Sequence, residues 1–105
     1  MQNNGEARYK TSAIENGSPA DLVLRLYDHI LERCEAKDFM GAKKAVVELQ
    51  GSLDLEYLDV SGPLYRLYEY VADRLRKQDY EEAERIIQDL RSSWLTAMET
   101  VGAGA

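Results

Sequence analysis

The sequence predicts an all-α protein: an antiparallel up-and-down four-helix bundle made of two repeated helical hairpins, preceded by an N-terminal arm. Three observations carry that prediction. The first is a repeat. Arg25-Leu26-Tyr27-Asp28 returns 41 residues later as Arg66-Leu67-Tyr68-Glu69, and the same offset pairs Ile30 with Val71, Arg33 with Arg74, Asp38-Phe39 with Asp79-Tyr80, Ala42 with Ala83, Val46 with Ile87 and Leu49 with Leu90. The second is spacing: apolar residues recur three and four apart, so each unit is a helical hairpin, and two hairpins bury their stripes against each other. The third is the lack of competition, since neither proline nor any glycine interrupts the middle of a periodic segment and no run alternates as a strand does.

The arm comes first. Residues 1–17 are polar and aperiodic, with Tyr9 and Ile14 as their apolar points. The bundle is placed at 18–101 and a short tail at 102–105. Ser18-Pro19 opens helix 1, because a serine hydroxyl accepts an orphan N–H of the first turn, proline needs none at the first position, and Asp21 suits the positive helix end. Its inward stripe is Val23, Leu26, Tyr27, Ile30 and Cys34, with Leu31 at the edge, and the helix is predicted over 19–35.

Helix 2 starts at Asp38 and points Ala42, Ala45, Val46, Leu49 and Leu53 inward, ending near Asp54. A connection over 55–62 follows, unusually apolar for a loop, which is expected to pack over one bundle end. Pro63 is read as the first residue of helix 3, with Leu64, Leu67, Tyr68, Val71 and Leu75 inward. Helix 4 begins at Asp79, with Glu82 as capping-box partner, and turns Ala83, Ile87, Leu90, Trp94, Met98 and Val101 to the core.

Composition then excludes whole classes of function. The chain is one domain of 105 residues, 45% apolar and 30% charged, which is the make-up of an ordinary globule. Its formal net charge of −6 argues against nucleic acid and anionic membrane as partners and leaves a protein or peptide. No apolar run is long enough to insert in a membrane, and the start of the chain, with Asn3, Asn4 and Glu6, does not read as a secretory signal. With Cys34 as the only cysteine, on an apolar face, the expectation is a buried thiol in a cytoplasmic protein.

No catalytic, cofactor or metal site is predicted. Asp54, Glu56 and Asp59 lack the spacing of a calcium loop, the single histidine, His29, has no second ligand for zinc, and no glycine-rich phosphate loop is present. Ser52 and Ser93 have no histidine base, so an enzyme is not expected. Candidate contact residues come instead from helical phase. Leu24, Met40, Val47, Tyr65, Tyr70 and Leu95 lie away from the centres of their stripes, where a groove for another helix would need apolar side chains.

In order along the chain, Tyr9, Ile14, Ser18-Pro19-Ala20-Asp21-Leu22, Leu26-Tyr27-Asp28, Ser52-Leu53-Asp54, Leu67-Tyr68-Glu69-Tyr70 and Leu90-Arg91 with Trp94 resemble the flagellar secretion chaperone FliS family over about residues 7–98. His29 stands where that family usually has glycine, and the segments leading to Ser52 and to Trp94 are shorter by about four and two helical turns. The resemblance implies a cytoplasmic export chaperone that binds the C-terminal segment of flagellin, prevents premature polymerisation and assists flagellar type III secretion, with a further contact to the export gate. It makes Tyr9 and Ile14 part of an arm able to cover the client groove, beside Leu24, Val47, Tyr65, Tyr70 and Leu95 as client contacts. The alternative is a shortened regulatory adaptor for another flagellar or export protein. The oligomeric state is left open.

Overall fold

The computed structural model describes residues 19–104, with side chains to residue 99. Tyr9, Ile14, the capping hydroxyl of Ser18 and the side chain of Val101 lie outside the described residues. Among those described, the chain forms four α-helices and no strand: α1 (Pro19–Glu35), α2 (Phe39–Gly51), α3 (Leu58–Arg76) and α4 (Tyr80–Gly104), with a 3-10 turn at Leu55–Tyr57 ahead of α3. Helix α1 packs on α2 and α4, and α3 packs on the same two.

The core is the predicted stripe with two additions, and without Met98, which is half-exposed and outside the packed cluster. Tyr27, Ile30, Cys34, Ala42, Ala45, Val46, Leu49, Tyr68, Val71, Leu75, Ala83 and Ile87 are buried, and Ala72 and Ile86 join them. Val23, Leu26, Leu31, Leu53, Leu64, Leu67, Leu90 and Trp94 pack around that centre partly exposed. Three- and four-residue spacing places these side chains on one face, and burial of that face stabilises helices that would be marginal alone.

The turns after α1 and α3 use the same bonds 41 residues apart. Asp38 N–H donates to the Arg33 carbonyl at 2.8 Å, and Asp79 N–H to the Arg74 carbonyl at 2.8 Å. Lys37 and Gln78 both sit at positive φ, 55° and 60°, the left-handed geometry that ends a helix. Asp38 then caps α2 through the Gly41 N–H at 3.0 Å, and Asp79 caps α4 through the Glu82 N–H at 3.3 Å. Gly41 leaves room for the first cap, because a Cβ there would run into the Asp38 carboxylate and the Arg33 chain.

Several expectations need correcting. The apolar connection at 55–62 is mostly helix: Asp54 accepts the Glu56 N–H at 3.0 Å, and its carbonyl takes the Ser61 hydroxyl at 2.6 Å, so the helix starts before Pro63. Pro63 consequently lies inside α3 and has no N–H for the carbonyl of Asp59, an exposed residue. Helix α2 stops at Gly51, since the Ser52 hydroxyl turns back to the Leu49 carbonyl at 2.7 Å. Glu82 is drawn away from a capping box by Arg85, at 2.7 and 2.9 Å. Helix α4 also continues through Gly104, beyond residue 101 where the tail was placed, with no proline to stop it.

Candidate functional site

Exposed apolar side chains gather at two places on this bundle. One is the outer face of α2, where Met40 is 72% and Val47 53% exposed. With Lys43 and Lys44 they occupy one helical face at spacings of three, four and seven residues, lining a shallow hollow of about 460 Å³. The Lys43 ammonium lies 5.8 Å from the Phe39 ring, a cation–π distance.

The other place is the start of α3. Leu55 is 68% and Leu58 64% exposed, and Tyr57 and Val60 beside them are exposed as well. Behind this segment, Val23, Leu53, Tyr57, Val60, Leu64 and Trp94 line an apolar hollow of about 410 Å³ at the end of the bundle. The indole of Trp94 donates to the Ala20 carbonyl at 3.2 Å, which ties α4 to the beginning of α1 and holds one wall. Sequence reasoning did not name this hollow as a contact site. The apolar run at 55–60 was its signal, read as a connection packing over one bundle end in which Leu55, Tyr57 and Leu58 could equally cap the core or touch a client; the segment coils into helix and leaves those side chains exposed.

The predicted contact residues do not form one surface. Val47 lies on the α2 hollow. Tyr65 is exposed one turn before Glu69, whose carboxylate accepts Gln50 from α2 at 3.2 Å, so it belongs to the α2 side of α3. Tyr70 faces α4: its hydroxyl donates to Glu82 at 3.4 Å and the Arg74 guanidinium lies 5.2 Å from its ring. Tyr70 also borders an acidic hollow of about 620 Å³ with Glu81, Glu82, Glu84 and Arg85. Arg85 holds the Glu82 carboxyl below its ordinary value, so that carboxylate stays ionised at neutral pH.

Leu24 and Leu95 are only half-exposed. The ion pair of Arg91 with Asp28 at 2.6 Å marks the seam where α4 packs on α1. Leu24, one turn before Asp28, and Leu95, one turn after Arg91, fall at that seam, and Leu24 packs on the core.

Cys34 is buried, and burial pushes its thiol up to about 11. Among the described residues, no cluster of three histidine, cysteine or acidic side chains could hold a metal ion, and no helix is long and apolar enough to cross a membrane. The arrangement offers apolar strips with charged borders, the chemistry of a surface that holds a peptide.

The family model described as flagellar protein FliS matches residues 1–101 of this chain. Neither the curated proteins nor the solved structures give a match.

Proposed function

We propose a function from one premise: this chain belongs to the FliS family of flagellar proteins. The members of that family are flagellar chaperones, and the finer reading is that this one binds the C-terminal segment of flagellin in the cytoplasm. It thereby blocks premature polymerisation, hands its client to the type III export apparatus and engages the export gate. The observation that carries the reading is an all-helical bundle with exposed apolar strips on α2 and α3, among them Met40, Val47 and Tyr65.

The physics favours a client that is unfolded when free. An amphipathic segment that orders on binding lays its apolar face into grooves between helices, and burial there offsets the entropy cost of ordering. Tyr9, Ile14, Leu24, Val47, Tyr65, Tyr70 and Leu95 are the contacts this reading assigns. It takes the bundle as antiparallel and up-and-down. Hydrogen bonds from Tyr80 to the Lys37 carbonyl at 3.3 Å and from Trp94 to the Ala20 carbonyl support α4 running against α1.

Calorimetric titration with a peptide spanning the C-terminal helical segment of flagellin from the same organism tests the proposal. Micromolar or tighter binding with a negative heat-capacity change is the expected result. Absence of binding to a helical, well-behaved protein overturns it in favour of an adaptor for another flagellar protein.

A further inference from the structure

The two exposed apolar patches carry opposite charge. On the outer face of α2, Met40 and Val47 flank Lys43 and Lys44, and none of the residues lining that hollow is acidic. From 54 to 60 the chain reads Asp-Leu-Glu-Tyr-Leu-Asp-Val, with three carboxylates and no cation. Among the described residues neither Lys43 nor Lys44 has a carboxylate within ion-pair distance, and neither Glu56 nor Asp59 has a cation. In a chain of net charge −6, a basic apolar strip and an acidic apolar strip left unpaired on one surface are each other's complement.

Their dimensions agree. Met40 to Val47 covers about 10 Å of helix, and Leu55 to Val60 about the same in one 3-10 turn and the first turn of α3. On α2 the adjacent pair Lys43-Lys44 sits between Met40 and Val47, and at the start of α3 Leu55 and Leu58, like Glu56 and Asp59, are three residues apart. The shorter Leu55–Leu58 pair can therefore seat between Met40 and Val47 while Glu56 and Asp59 reach the lysines.

We propose that these strips bind each other between two copies of the chain, the acidic start of α3 of one copy docking on the basic face of α2 of the next. The contact is heterologous, since different surfaces meet, and each docked copy leaves one strip of each kind open. Association therefore continues past the dimer as concentration rises. Strips this short bury far less than the roughly 1,200 to 2,000 Å² of a stable interface, so the assembly is weak and reversible. The contact uses Met40 and Val47, which the flagellin reading also uses, so self-association and client binding would compete there; its test needs no client, and its failure leaves the flagellin reading untouched.

Sedimentation equilibrium of the full chain, up to concentrations of about 1 mM, tests it. Two charge-reversed variants are compared: Lys43→Glu with Lys44→Glu, whose strips are both acidic, and Glu56→Lys with Asp59→Lys, whose strips are both basic. For the wild type the weight-average mass climbs from the 11.9 kDa monomer beyond twice that value. Each variant alone remains a monomer, and an equimolar mixture of the two associates again. That rescue by mixing separates a lost contact from a misfolded variant. A wild type that stays monomeric overturns the proposal and leaves the strips to a different partner. So does a variant that associates like wild type, or a mixture that does not recover.

Discussion

Tyr27 and Tyr68, 41 residues apart, meet hydroxyl to hydroxyl at 2.8 Å inside the core, joining α1 to α3. Both side chains are buried, at 0% and 2% exposure. The bond is what lets two phenols occupy a hydrophobic centre, since a hydroxyl buried without a partner costs about 1 to 3 kcal/mol. Replacing Tyr68 by Phe leaves the Tyr27 hydroxyl alone and should destabilise the fold by about that amount. The double variant Tyr27→Phe with Tyr68→Phe removes both polar groups and should cost less than the sum of the single changes, as urea unfolding of the four proteins would measure. Simple additivity would show that the two hydroxyls are not coupled.

The same pair makes stability sensitive to alkali. Burial raises both phenols above their ordinary 10.0, so the unfolded chain gives up these protons first. Their contribution is whole below pH 10 and diminishes as pH climbs beyond it. Urea midpoints measured from pH 8 to 11 should be level at first and then fall, and the fall should shrink in the double Phe variant.

The caps predict the opposite slope in acid. The Gly41 N–H, then Arg33, hold the Asp38 carboxyl below its ordinary 3.8, so its stabilising effect is present above that pH and is lost as pH falls through the lowered value. Asp38→Ala should lower the thermal midpoint at neutral pH and flatten the acid limb of the stability curve. Asp79→Ala should do so less, because its cap bond is longer, 3.3 against 3.0 Å.

Cys34 should be inert in the folded protein. It is 2% exposed and its thiol is raised to about 11 by burial, so little thiolate exists at neutral pH. A colourimetric thiol reagent at pH 8 should titrate one cysteine in denaturant and almost none without it. Rapid labelling of the native protein would contradict the packing of α1.

Client binding separates the candidate residues. Val47→Asp together with Tyr70→Asp should retain helicity by circular dichroism and weaken binding of the flagellin peptide, as both side chains are exposed. Leu24→Asp should instead lower stability, because Leu24 packs on the core. Removing residues 1–16 should leave peptide affinity unchanged or raise it where the arm covers the groove, and calorimetry of the truncated chain measures which.

Much of the fold was legible in the sequence because helices announce themselves locally. Three-four spacing selected the inward faces, and Asp38 and Asp79 marked the starts of α2 and α4 by a bond each side chain makes within three residues. Even the positive φ at Lys37 and Gln78 falls at positions related by the 41-residue offset. The segment 55–60 was not legible, since apolar residues near a proline read equally as a loop or as an early helix. The bonds of Asp54 to Glu56 and Ser61 decide between them.

The sequence by itself determined the class of fold, the core stripes and the family resemblance, all of which depend on residue type and spacing along one chain. Only the tertiary structure decided which apolar residues remain in water. Leu24 and Leu95 share the off-stripe phase of Val47, but they fall at the seam between α1 and α4 that the Asp28–Arg91 pair marks, while nothing among the described helices covers the outer face of α2. Exposure is a property of the neighbours a helix acquires, and helical periodicity records only the side it turns toward the centre.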